Sequence, residues 1–176
     1  DSRRRRLQAA WGPRCASPAR LISCQMVAKF IATVGGIGYF PKAPGTAGSA
    51  VGLLIGLFAA SHWTFLTAFV IWAVGLIAGV VVSTVVERSC GEHDPASVVI
   101  DELVGMWAVV LAIPFVGQTW WLAVVAFILF RAFDIIKPPP LRWLERRPGG
   151  WGIMLDDLGA SGYTILVLWC AKLVFP

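Results

Sequence analysis

VVIDELVGMWAVV, residues 98–110, sets two carboxylates, Asp101 and Glu102, at the mouth of a long apolar run. From Leu103 to Phe130 no side chain is charged. An ionisable group beside a membrane-like segment is expensive and usually marks function. The stretch therefore predicts a helix that leaves a membrane boundary, with acids held at its entrance for a chemical reason.

Outward from this stretch, the composition agrees. Of 176 residues, 57% are hydrophobic and only 14% charged, which is too apolar for an ordinary soluble globule. Gly (18) lets helices approach closely in lipid, and Trp (9) favours the membrane–water interface. The net charge of +5 forms no continuous basic stripe, so nucleic acid is not indicated as a partner. Basic residues flank the apolar segments instead, as the positive-inside rule requires. Cys15, Cys24, Cys90 and Cys170 make no C-x-x-C pair, which argues against a zinc site or disulfide framework. Residues 1–25 lack the apolar core of a signal peptide, being broken by Arg14 and Arg20. They are expected to be a disordered or non-native upstream extension, with Met26 as the start of a single membrane domain, 26–176.

Between Ala43 and Val86 the one titratable side chain is His62. That run predicts helices over Gly48–Ala60 and Trp63–Val86 with a turn at Ser61-His62. Leu103–Phe130, interrupted by Pro114, Gly117 and Gln118, is either one kinked helix or a shallow helical hairpin. Leu158–Pro176 supplies a last span. The expected fold is all-α: a compact multi-helix integral membrane protein of about four to five hydrophobic helices. If both apolar runs are hairpins, the polar segments 35–46, 87–102 and 131–157 converge on one face. Arg131, Lys137, Arg142, Arg146 and Arg147 assign that face to the cytoplasm.

Three constellations then meet. GIGYFPKAPGTAGS (36–49) opens a helix with glycines and Lys42 nearby, where Thr46 or Ser49 could cap it and Gly45–Thr46 amides could cradle phosphate. A capped turn before a membrane helix is the plainer reading of this segment. The second, 87–107, brings His93, Asp101 and Glu102. Neighbours on a helix diverge by about 100°, so Asp101 and Glu102 face one partner only if the helix starts there. Helix-dipole capping is the plainer account of this pair. The third, 130–157, spaces Arg131, Asp134 and Lys137 at i, i+3 on one helical face before Pro138–Pro140 end the helix. An Arg131–Asp134 ion pair at a helix end is its plainer reading. Asp156-Asp157 follow a glycine-rich loop and precede the last apolar run. Paired acids, Arg, Lys and a Gly-rich entrance suit phosphoryl transfer to water with Mg²⁺, a hard cation that takes carboxylate and phosphate oxygens. A small ion or proton conductor that uses the acids as a relay is the competing reading, although conductors place acids within spans.

The motifs PGTAGS, HDPASVVIDELVGMW and FRAFDIIKPPPLRWLE…GGWGIMLDD closely resemble the bacterial phosphatidylglycerophosphatase A family, in order, from about Gly35 to Asp157. The resemblance implies a Mg²⁺-dependent lipid phosphatase of the bacterial inner membrane. Its phospholipid substrate would be phosphatidylglycerophosphate, and its product phosphatidylglycerol. By matched motif, Asp101, Glu102, Asp156 and Asp157 become the metal and catalytic acids, with Asp101, Asp156 and Asp157 as the expected ligands. Arg131, Asp134 and Lys137 fall in the third motif and, with Lys42, Gly45 and Thr46, form the expected phosphate-binding set. His93 joins Glu102 as a candidate acid–base group.

Overall fold

A computed structural model describes residues 18–92, 94–116 and 120–174. Among them there are seven α-helices and no strand: α1 Pro18–Ala32, α2 Pro44–His62, α3 Phe65–Cys90, α4 Ile100–Val116, α5 Trp120–Ile136, the short α6 Leu141–Glu145, and α7 Gly150–Val174. A 3₁₀ turn, Ile37–Tyr39, links α1 to α2. The all-helical membrane architecture read from the sequence is the one observed. Helix α1 runs across the boundary expected at Met26, and residues 1–17 lie outside the described residues.

Local chemistry sets the helix ends. Pro44 opens α2 at a position where its missing N–H costs nothing, so this helix starts earlier than the expected Gly48. Ala43 is its N-cap and offers no side-chain cap, so neither Thr46 nor Ser49 caps it. Thr64 caps α3, its hydroxyl accepting from the Thr67 amide at 3.3 Å. The turn thus falls at Trp63-Thr64, and His62 ends α2. Gly91 closes α3 at φ 70, the left-handed conformation favoured at helix C-termini. The Leu103–Phe130 run resolves into two helices of 17 residues each, which gain length by extending into the charged flanks on both sides. At about 1.5 Å rise per residue each measures roughly 25 Å, slightly under the bilayer hydrocarbon thickness. Their reactive ends, Asp101-Glu102 and Arg131–Asp134, therefore fall within the helices.

Three helices, α2, α3 and α7, are long and apolar enough to cross a membrane. Helix α3 turns large apolar side chains outward: Leu66, Val74, Ile77 and Val81 are all exposed. In water such a surface would be a liability; in a bilayer it is the solvated face. With outward faces gaining nothing from burial, close packing between helices decides the assembly.

That packing is densest between α2 and α4. Gly48 lies against Val99, Gly52 against the Leu103 backbone and Gly56 against Val110. A Cβ at position 52 would stand 2.3 Å from the Leu103 carbonyl oxygen, which cannot swing aside. Replacing Gly52 with Ala should lower stability by about 1–3 kcal/mol, the cost of overpacking. Gly162→Ala meets open space and should be neutral or gain up to about 1 kcal/mol from helix propensity. Thermal unfolding in detergent checks both, and equal midpoints for the two variants would contradict the packing assignment.

Hydrogen bonds pin the remaining helices. The Trp72 indole donates to the Val104 carbonyl at 3.0 Å, joining α3 to α4. The Gly150 amide donates to Thr84 Oγ1 at 2.8 Å, fixing the start of α7 on α3. Ser161, buried in α7, brings its hydroxyl within 2.7 Å of the Gly105 carbonyl of α4. Asp157 lies one turn before Ser161 and Glu102 one turn before Gly105, so this contact holds both acid pairs at one level.

Candidate active site

Glycine at position 45 makes the site possible. A Cβ there would lie 2.2 Å from Glu102 Oε1 and about as close to Arg131 as a hydrogen bond, at 3.1 Å from Nη2. Helix α2 can thus bring its first turn against α4 and α5 without displacing either side chain. The three polar segments converge here, as the hairpin reading requires.

Helix α4 starts at Ile100, which puts Asp101 and Glu102 in its first turn. This meets the condition under which two adjacent acids share a partner. Asp101, Glu102 and Asp157 each offer a carboxylate oxygen, all within 4.8 Å of one another. Asp134, Asp156 and Asp157 form a second such group, with Asp157 common to both. Asp156 and Asp157 do not precede the last helix but lie inside it. They lie in the second turn of α7, buried to 6% and 2% exposure.

Two cations face the acids. Arg131 Nη1 pairs with Asp134 Oδ2, donates to Ser49 Oγ at 3.3 Å and approaches Glu102 Oε1 to 3.9 Å. Lys137 Nζ lies 2.5 Å from Asp156 Oδ2 and 2.9 Å from Glu145 Oε1. The expected single face of Arg131, Asp134 and Lys137 is therefore corrected. Helix α5 stops at Ile136 because Pro138 follows, and a residue before proline is driven out of the helical region. Lys137 takes φ 49 and turns away to Asp156 and Glu145. Burial disfavours its charge, but the hydrogen bonds to Asp156 and then Glu145 outweigh this and hold the ammonium above the ordinary lysine range.

Several carboxylate oxygens lack partners. Asp101 Oδ1, Glu102 Oε2, Asp156 Oδ1 and Asp157 Oδ2 are buried without a hydrogen bond, as is Arg131 Nε. Buried polar atoms are ordinarily satisfied. Orphaned oxygens converging from α4 and α7 are of the type that a hard divalent cation prefers.

The expected outlying residues fare differently. Lys42 and Thr46 are exposed. Among the described residues no hydrogen bond or ion pair ties either to the carboxylates. His93 lies outside the described residues. Two contributors were not among the expected site residues. Ser49 is fully buried, donates to the Gly45 carbonyl at 2.8 Å and accepts from Arg131. Its spacing of four from Gly45 was the available signal. Glu145 reaches Lys137 across three prolines, a separation no helical period encodes.

With the geometry in place, comparison with known sequences decides the family. The sequence model for phosphatidylglycerophosphatase A matches residues 30–172. The chain belongs to the phosphatidylglycerophosphatase A family. It is 36% identical over 157 residues to phosphatidylglycerophosphatase A of Haemophilus influenzae, covering 89% of this chain and 95% of that protein. The Escherichia coli phosphatidylglycerophosphatase A is 34% identical over 142 residues, 76% of this chain and 77% of the relative. A protein of Bacteroides thetaiotaomicron named putative phosphatidylinositol-3-phosphatase is 38% identical over 151 residues, 82% of this chain and 92% of its own. No solved structure matches the chain. Membership of the phosphatidylglycerophosphatase A family makes the protein a phosphatase acting on a phosphomonoester, and the ion-conductor reading is set aside.

Proposed function

We propose that this membrane phosphatase hydrolyses phosphatidylglycerophosphate to phosphatidylglycerol and inorganic phosphate, with Mg²⁺, at the cytoplasmic face of a bacterial inner membrane. The carrying observation is the set of five carboxylates that meet Arg131 and Lys137 at one end of the helices, four of them with a buried, unpartnered oxygen. These oxygens fit Mg²⁺, with Asp157 the ligand common to the Asp101–Glu102 side and the Asp134–Asp156 side. When bound, the ion would neutralise phosphate charge and lower the pKa of water.

The chain's own residues supply the rest. Arg131 offers a planar set of N–H donors matched to phosphate oxygens, and its Nε has no protein partner to lose. Lys137 adds a compact positive charge held in place by Asp156 and Glu145. The first-turn amides of Gly45 and Thr46 have no intrahelical carbonyl to bond, and Gly45 lies beside Arg131. Glu102 is more exposed than Asp156, 15% against 7% for the side chains, so water reaches it more readily. In this reading Glu102 takes the proton as water attacks phosphorus. The P–O bond to glycerol breaks, and Glu102 passes that proton to the departing oxygen, which leaves as the glycerol hydroxyl.

The relatives' names divide between two lipid phosphates, so substrate choice is the test. Phosphate release by the detergent-purified chain should favour phosphatidylglycerophosphate over phosphatidylinositol 3-phosphate by at least about tenfold in kcat/KM, a difference of roughly 1.4 kcal/mol. A preference for the inositol lipid would replace the substrate assignment while leaving the phosphatase chemistry intact.

A further inference from the structure

We infer that the site holds two divalent cations that share Asp157. This rests on the Mg²⁺ reading above and fixes the number of ions and the division of ligands, which that reading leaves open. Asp157 belongs to both groups of converging oxygens: with Asp101 and Glu102 from α4 on one side, and with Asp134 of α5 and Asp156 of α7 on the other. The two groups overlap at only that residue, so an ion held by one of them does not serve the other.

A cluster of acids alone would prove little, but here the orphaned oxygens divide between the same two groups. Asp101 Oδ1 and Glu102 Oε2 lie in the first, Asp156 Oδ1 in the second, and Asp157 Oδ2 in the residue they share. Asp101, Asp156 and Asp157 are each more than nine-tenths buried. A buried oxygen with no donor costs about 1–3 kcal/mol. One ion in the first group would leave Asp156 Oδ1 unsatisfied, and one in the second would leave Asp101 Oδ1.

Charge leads to the same count. With Glu145, six carboxylates face Arg131 and Lys137, an excess of four negative charges. One divalent ion would leave the site net negative, repelling a phosphomonoester that is itself close to dianionic. Two would bring it to neutrality and remove that repulsion. Paired ions that clamp the attacking and leaving oxygens are a recurring solution for phosphoryl transfer. In this arrangement Asp134 is a ligand of the second ion as well as the partner of Arg131, and Arg131 sets its orientation.

Manganese is the probe. The full chain, purified in detergent and stripped with chelator, is titrated with Mn²⁺ while free Mn²⁺ is read by electron paramagnetic resonance. Two ions should bind per chain, and the low-temperature spectrum should show an exchange-coupled pair. Asp101→Asn and Asp156→Asn should each bind one ion fewer and lose the coupled signal. One ion per wild-type chain would overturn the paired site while preserving a metal-dependent phosphatase. No binding would overturn both readings. If either variant fails to fold, the wild-type stoichiometry and coupling still decide the question.

Discussion

Replacing Asp157 with Asn should abolish phosphate release, lowering kcat by at least about a thousandfold, yet make the metal-free protein more stable. The loss follows from position. Asp157 is 2% exposed, stands in both carboxylate groups and carries an oxygen without a protein partner. A group that supplies several kcal/mol of transition-state stabilisation costs three or more powers of ten when removed. The gain in stability follows from charge. Without cations, Asp157 is a buried acid among Asp101, Glu102, Asp134 and Asp156, and a neutral isostere relieves that repulsion by on the order of 1 kcal/mol. Thermal unfolding in chelator, beside a phosphate-release assay with Mg²⁺, reads both effects. An acid kept only as a helix feature would show neither, and a variant that retains normal turnover contradicts the assignment.

Arg131→Met should damage both folding and catalysis. The Arg131 side chain is 17% exposed and faces Glu102 and Asp134 at 15% and 13%. Removing it leaves two largely buried carboxylates facing each other and takes from the fully buried Ser49 hydroxyl the donor it accepts from, leaving it only its bond to the Gly45 carbonyl. Breaking a buried pair costs about 3–5 kcal/mol, and the partial exposure here places the loss near the lower end. Loss of a fixed donor to developing phosphate charge should lower kcat by a further 10²–10³, roughly the scale seen when one such donor is removed. Arg131→Lys should recover part of the stability but little of the rate, because an ammonium cannot span Asp134, Ser49 and a phosphate together. Equal recovery of both would mean that charge alone, rather than guanidinium geometry, is needed.

The sequence carried the helices and the acids further than it carried their arrangement. Uncharged runs mark lipid-facing helices because the bilayer tolerates little else, so α3 and α7 were legible from composition. Pro138 made the end of α5 legible, but not where Lys137 would go next. Its left-handed turn toward Asp156 depends on α6 and α7 being in place. Gly45, Gly48, Gly52 and Gly56 could be counted as small residues favouring close packing. That Gly45 makes room for Glu102 and Arg131 is a fact of tertiary structure. The acids could be read as metal ligands by type and motif, whereas their division into two overlapping groups depends on helices separated by up to 56 residues along the chain meeting at Ser161 and Gly105.

The most direct measurement is phosphate release from phosphatidylglycerophosphate by the purified chain, first with Mg²⁺, then with excess chelator, then with Mg²⁺ restored. Turnover should fall to background with chelator and return in full on re-addition, because Arg131 and Lys137 alone leave the five acids net negative toward the incoming phosphate. Undiminished release in chelator would contradict a metal-dependent reaction and return the buried acids to a structural role.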